Sequence, residues 1–235
     1  MSVETVLITG ANRGLGAAFV DLYLKRGWRV VGLVRDASSE GALRIKGCGA
    51  ELIEADLREK ETRTSVAQYF SDFRSRIDLL INNAGPPART AALEEEADEE
   101  TLEHFQVHCL GVLRVVQGAQ KALRRAKSPL VVNISSRLGS IARMAEGMYS
   151  DIHRSFSYPV AKAAQNMLTA QLHRVLYPEG IRVIAVHPGA LLTGYGSRDA
   201  ATPVDEGAKR LAELFGRLEG ASGVYLDPYG ETIPW

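Results

Sequence analysis

Tyr158 and Lys162 stand four residues apart in the stretch Ser157-Tyr158-Pro159-Val160-Ala161-Lys162. On a helix that spacing puts a phenol and an ammonium on one face, about a turn apart. A free phenol, with a pKa of about 10, is a poor base at neutral pH. An ammonium roughly 4 Å away would stabilise the phenolate by about 4 kcal/mol at an effective dielectric of ~20, or roughly three pKa units. A phenol shifted that far can give and take a proton near the operating pH, as a general acid/base must. Eight Tyr and seven Lys in 235 residues produce ~0.2 such pairs by chance, so the pair proves nothing by itself. The plain alternative is an amphipathic helix with Tyr158 half buried and Lys162 solvated.

The elements that would position the pair read as follows. Thr5-Val6-Leu7-Ile8 is a short apolar strand that ends in Thr9-Gly10. Gly10-Ala11-Asn12-Arg13-Gly14-Leu15-Gly16 follows, then a helical pattern from Ala17 to Arg26 and a second strand from Arg29 to Val34. Strand, glycine turn, helix and strand make a βαβ unit, which implies a parallel sheet with a right-handed crossover. Further strands are expected at Glu51–Ala55, Asp78–Ile81, Pro129–Ile134, Ile181–Val186 and Gly223–Leu226. Helices are expected from Ser38 or Ser39 to Lys46, from Glu59 to Phe73 (with Val66, Phe70 and Phe73 inward), from about Glu99 to Arg125, across Tyr158 and Lys162, and over Val204–Leu218. The fold class is therefore α/β: a doubly wound parallel sheet of about seven strands with helices on both faces. No linker or repeat interrupts residues 1–235, which read as one domain.

The glycine turn between strand and helix suits a pyrophosphate. Gly10 permits the tight turn, Gly14 and Gly16 allow close backbone approach, and the helix N-terminus offers free N–H groups. Glycines also end strands where no ligand binds. At the end of the second strand an acid would select the ribose hydroxyl of NAD(H), whereas an arginine accepts a 2′-phosphate. Val34 fills the acidic slot and Arg35 follows it, with Arg13 as a second cation, so NADP(H) is favoured. Asp36 is the counter-argument, because it could turn onto the ribose. Ala84 and Gly85, after Asn82-Asn83, suit a flat ring laid against backbone.

Charge and composition narrow the function classes. Lys plus Arg number 28 and Asp plus Glu 28, so nothing marks a nucleic-acid or anionic-membrane binder. Cys48 and Cys109 lack metal-ligand spacing and read as buried small hydrophobes in a reducing compartment. With no signal-like or spanning segment, a cytoplasmic location is expected. Glu94–Glu100 reads as a solvated loop and helix start rather than a metal site, and His104 as a surface residue.

Taken together and in chain order, these pieces resemble the short-chain dehydrogenase/reductase family over nearly the whole chain. The likeness rests on Thr9-Gly10-x-x-x-Gly14-x-Gly16, Asp56, Asn82-Asn83-Ala84-Gly85, Ser136, Tyr158-x-x-x-Lys162 and Pro188-Gly189-x-x-x-Thr193. Ser135–Ile141, His187-Pro188-Gly189 and the tail Tyr229–Trp235 are similar to the sniffer-like or C-factor-like carbonyl reductases. The resemblance implies hydride transfer between NADP(H) and a carbonyl or secondary alcohol. It implies that Tyr158 exchanges the proton, Ser136 holds the substrate oxygen, and Lys162 tunes Tyr158 and binds the nicotinamide ribose. It places Asp56 and Leu57 near the adenine, Asn83, Ala84 and Gly85 along the adenine ribose, and Pro188, Gly189 and Thr193 at the nicotinamide end. Asn12, Arg13 and Leu15 go with the glycine loop, and a homodimer or homotetramer is implied.

Two departures stand out. Where the family has an Asn that helps hold a water between the Lys and solvent, this chain has His108, which can still donate or accept and can itself titrate. Tyr158 also lies beyond the usual distance from Ser136; Tyr149 fits that distance, but His153 stands where its lysine should be. Choosing Tyr158 leaves Met144, Met148, Tyr149, Ile152 and Phe156 in a longer apolar loop able to line a substrate pocket. Pro159 requires the helix to begin at or beside Tyr158, with Ser155 or Ser157 as cap. Two competing functions stay open at this point: a cofactor-binding regulator or scaffold, suggested by His108, and dehydration or epimerisation on the same scaffold.

Overall fold

A computed structural model describes residues 3–87, 89, 92–149, 155–192 and 202–235. Its strands are β1 (Thr5–Thr9), β2 (Arg29–Val34), β3 (Glu51–Glu54), β4 (Leu79–Asn82), β5 (Leu130–Ile134), β6 (Arg182–Val186) and β7 (Val224–Leu226). They form one parallel sheet in the order β3-β2-β1-β4-β5-β6-β7. Val6 and Ile8 of β1 enter one apolar cluster with Phe19 of α1 (Gly14–Lys25), Ile45 of α2 (Glu40–Gly47) and Leu211 of α8 (Val204–Arg217). Leu7, between them, enters the opposite cluster with Val66 of α3 (Thr62–Tyr69) and Leu172 of α7 (Ser157–Leu176). Both faces of the sheet are covered, which is why its strands read as unbroken apolar runs. The strand order reverses between β1 and β4, so a crevice opens outside the carboxyl ends there.

Several expectations are corrected. Helix α3 stops at Tyr69 and leaves Phe73 75% exposed, because Arg125 reaches over to donate to the carbonyls of Phe70 and Ser75. The expected long helix is unbroken from Asp98 to Leu123; a π-helical stretch, Gln106–Gly111, joins its α-helical parts α4 (Asp98–Phe105) and α5 (Val112–Leu123). Leu102 and Phe105 of α4 are exposed, so the helix carries an apolar face away from the sheet. Cys48 is exposed, whereas Cys109 is buried as expected. Among the described residues no helix is long and apolar enough to cross a membrane.

Candidate active site

A cleft of about 940 Å³ lies along the carboxyl ends of the strands. Its nucleotide end is formed by Gly10, Asn12, Arg13, Gly14 and Leu15 of the first loop, and by Arg35, Asp56 and Leu57 after β2 and β3. Asn83, Ala84 and Gly85 follow β4 along its floor, and Pro188 and Gly189 follow β6. Gly16 lies beneath the loop instead of lining the cleft. A Cβ there would sit 2.1 Å from the Gly10 carbonyl oxygen, so the loop can close onto α1 only over a bare backbone. The strand ends are tied together by their own polar groups. Thr9 Oγ1 accepts from the amides of Asn83 (3.0 Å) and Ala84 (3.1 Å), and Asn82 Nδ2 donates to Asn133 Oδ1 (2.8 Å). Thr193 falls outside the described residues.

Both acids near this end are already occupied. Asp36 Oδ1 accepts from the amide (2.8 Å) and the hydroxyl (2.6 Å) of Ser38. Asp56 is bound through both oxygens by Arg58, whose Nη2 lies 2.6 Å from Oδ2; the guanidinium holds that carboxyl below its ordinary pKa. Arg58 also lines the cleft, which brings a third guanidinium to the region of Arg13 and Arg35.

The other end carries Ser136, Tyr158, Lys162 and His108, all four on the cleft wall. Tyr158 sits at the second residue of α7, as Pro159 requires: a proline in the first turn forfeits no intrahelical bond. Neither Ser155 nor Ser157 is the cap. Glu96, from the loop before α4, accepts from the amides of Phe156 (3.1 Å) and Ser157 (2.9 Å) and from the Ser157 hydroxyl. The acidic run is therefore not wholly solvated.

Lys162 is 3% exposed, not solvated, and burial pushes its pKa down to about 7. Its Nζ donates to the Ile134 carbonyl (2.7 Å) and Gln165 Oε1 (3.0 Å) and lies 3.1 Å from His108 Nδ1. An ammonium has three N–H groups, and here three acceptors meet them. With Lys162 charged, His108 Nδ1 must accept, which places the ring proton on Nε2. The Tyr158 ring centroid is 5.7 Å from Nζ.

His108 and His104 correct the expectations most. His104 is 1% exposed, not a surface residue, and stacks on His108 at 5.6 Å and 15°. Tyr158 meets both rings edge-on at 5.7 and 5.8 Å. Burial lowers the pKa of both histidines. Gly85 is small for this reason: a Cβ on it would lie 2.3 Å from His108 Cε1. The small residue leaves room for the imidazole.

Ser136 is held from several sides. Its Oγ accepts from the Leu138 amide (3.3 Å), and its carbonyl accepts from the Tyr225 hydroxyl. Tyr225 stacks on Trp235 at 5.5 Å, Ser140 Oγ donates to the Pro234 carbonyl (2.6 Å), and the amide of Ala142, on the short helix α6 (Ile141–Ala145), donates to the Trp235 carbonyl (3.1 Å). Tyr149 does not line the cleft; Arg137 lies over its ring at 5.4 Å. Met144, Met148 and Phe156 are exposed instead of lining the cleft, and Ile152 is outside the described residues. The apolar walls here are Leu138 and Leu191.

Arg58 and Gln165 escape the sequence reading, and His104, Glu96 and His187 are read there without a place in the site. His187 lines the cleft, with Nδ1 buried and its pKa driven down to about 4 by burial. One signal was there: His104 stands four residues before His108, on the same helical face.

The family model described as short chain dehydrogenase matches residues 4–203. The C-signal protein of Myxococcus xanthus is 31% identical over 160 residues, covering 68% of this chain and 93% of that protein. The structure of NADPH-bound carbonyl reductase from chicken fatty liver superposes with a TM-score of 0.89 at 27% identity over 100% of both chains. The carbonyl reductase Sniffer of D. melanogaster superposes at 0.88 over 100% of both chains; its identity of 23% bears on the fold alone.

Proposed function

The chain belongs to the short-chain dehydrogenase family, and from that premise we propose that it is an NADP(H)-dependent oxidoreductase interconverting a carbonyl and a secondary alcohol. Residues 1–235 then form one cofactor-binding domain. The observation that carries this reading is the convergence of Ser136, Tyr158 and Lys162 on one wall of a cleft that also runs under the glycine loop.

The cleft fits the cofactor. The glycine loop and the β4 end offer bare backbone, Arg13 and Arg35 supply positive charge for a 2′-phosphate, Asp36 is held by Ser38, and Asp56 is neutralised by Arg58. NAD(H) gains nothing from those arginines. Gly10, Asn12, Arg13, Gly14 and Leu15 would hold the pyrophosphate side, with Leu57 at the adenine and Pro188 and Gly189 at the nicotinamide. NADPH, when bound, supplies the hydride.

This chain's residues then handle position and proton. Tyr158 gives its proton to the developing alkoxide, or takes the alcohol proton in the reverse direction. Ser136 Oγ donates to the same oxygen. Lys162 supplies positive charge beside the phenol, and it binds a ribose hydroxyl only by releasing one of its three acceptors. His108 occupies the place of the family Asn and touches Lys162 directly, which supports a working site over the regulator reading. Leu138 and Leu191 favour a partly apolar substrate. Exposed Leu102 and Phe105 on α4, with Val160 and Met167 on α7, offer an apolar face for a homodimer or homotetramer.

A panel of ketones and aldehydes with NADPH tests the reading. Wild type should consume NADPH, and Tyr158→Phe should lose about 10²–10⁴-fold in kcat while still binding NADPH. Full activity in that variant, a blank panel despite tight NADPH binding, or product formed without net cofactor consumption would overturn it.

A further inference from the structure

Glu100, His104 and His108 follow one another at four-residue intervals along α4 and the π-helical stretch, on one face. They run from the protein surface inward to Lys162. His104 and His108 are 1% and 2% exposed. Burying two imidazoles costs free energy unless their nitrogens are satisfied. Yet His108 Nε2 and His104 Nδ1 are buried with no hydrogen-bond partner among the described residues. At the outer end, His104 Nε2 lies 3.8 Å from Glu100 Oε1. There both residues line a second cavity of about 270 Å³, with Pro86, Pro87, Arg89 and Glu99.

We propose that His104 and Glu100 are relay residues that carry protons between the Lys162–His108 pair and this outer cavity, which adjoins the cofactor cleft at Pro86, Pro87, Arg89 and Glu103. This inference rests on the oxidoreductase reading and deepens it. The ring tautomers agree along the path. His108 Nδ1 accepts from Lys162, leaving Nε2–H as donor. A water accepting that proton and donating to His104 Nδ1 would join the two orphaned nitrogens. His104 then carries its proton on Nε2, towards Glu100. A proton leaving Lys162 Nζ lands on His108 Nδ1, and the Nε2 proton passes to the water. The water's proton passes to His104 Nδ1, and the His104 Nε2 proton to Glu100 Oε1. Each transfer breaks one bond to hydrogen and forms one; the sum turns ammonium and carboxylate into amine and carboxylic acid. Uptake runs through the same steps in reverse, and repeated transfer in one direction requires each ring to regain its Nε2 proton and shed the one on Nδ1, by a ring flip or tautomer exchange, before the next proton passes. With Lys162 charged the chain points outward, the direction in which alcohol oxidation sheds its proton. The charges and titratable groups that face His104 are Glu100 and Glu103 on its own helix, Glu96 from the preceding loop, and Lys162 and Tyr158 of α7. Burial keeps both rings neutral, able to donate and accept at once.

Two readouts test the path. In ¹⁵N-histidine-labelled protein, exchange of the His108 Nε2 proton with solvent should slow at least tenfold in His104→Phe, whether or not the protein turns over. In turnover, His104→Phe should lose ten- to a hundredfold in kcat with NADPH affinity and KM unchanged, and added imidazole should restore His104→Ala. Glu100→Gln, which keeps the shape, should slow both readouts in the same sense if His104→Phe does not fold. Unchanged exchange in the folded variants, or a kcat loss that imidazole does not restore, overturns the relay. Slowed exchange in a protein that reduces no carbonyl keeps the relay and overturns the reductase reading instead.

Discussion

At the glycine-loop end of the cleft the walls are backbone; at the Tyr158 end they are buried side chains. The first end depends on residues being absent of bulk: Gly16 under the loop, and strand ends tied by Thr9 and Asn83. The second depends on polar groups finding one another out of water: Lys162 with three acceptors, stacked imidazoles, and a helix start clasped by Glu96. Backbone walls are cheap to keep and insensitive to pH. Buried polar walls are costly, and their charges respond to pH and to single-atom changes.

Lys162 should give the largest effect separating the two ends. Its folded pKa of about 7 lies below the unfolded value of about 10.4. Between these the unfolded chain holds the extra proton, so stability rises with pH from about 7 to 10 and is lost as pH falls through 7. Relative to Lys162→Met, wild type should gain about 4 kcal/mol over that range by chemical denaturation. Parallel curves would show that the lysine is not a desolvated charge.

Gly85→Ala comes next. Its Cβ would overlap His108 Cε1 at 2.3 Å, and overpacking of this kind costs about 2–3 kcal/mol. Unfolding free energy within about 0.5 kcal/mol of wild type would mean that His108 moves aside freely. Arg35→Ala probes the other end. It should weaken NADPH binding by about 1–3 kcal/mol and leave NADH alone, measured by titration calorimetry. Equal loss for both cofactors would remove the 2′-phosphate assignment.

Glu96→Gln should give the smallest effect, about 1 kcal/mol at neutral pH. The Ser157 hydroxyl and the helix amides hold the Glu96 pKa below its ordinary value. Its contribution is therefore full above the unfolded carboxylate pKa and fades as pH falls through the lowered one. A difference that grew in acid would contradict the clasp.

The nucleotide end was legible because its signals are local. A glycine spacing and a strand end each specify backbone shape within a few residues, so Gly10, Gly14 and Asn83 could be placed from sequence. The sheet followed from apolar runs for the same reason. The proton end was legible only in part. Tyr158 and Lys162 share a helix face, but the groups that bury and satisfy Lys162 come from elsewhere: His108 is 54 residues away and Ile134 is 28. Glu96 reads as a surface charge because its partner, Ser157, is 61 residues on. His104 reads as polar and exposed until α7 is laid across α4. Phe73 misled in the opposite sense: its spacing is helical, but Arg125 ends the helix first.

The clasp on Ser136 has a consequence for how the protein is made. Tyr225, which holds the Ser136 carbonyl, is encoded 89 residues after it. At about 5–20 residues per second, a ribosome delivers that tyrosine roughly 5–20 s after the serine. Through that interval the nascent chain already contains every strand around the glycine loop, but not the fastening for its serine. Newly made protein should gain nucleotide affinity before it gains turnover.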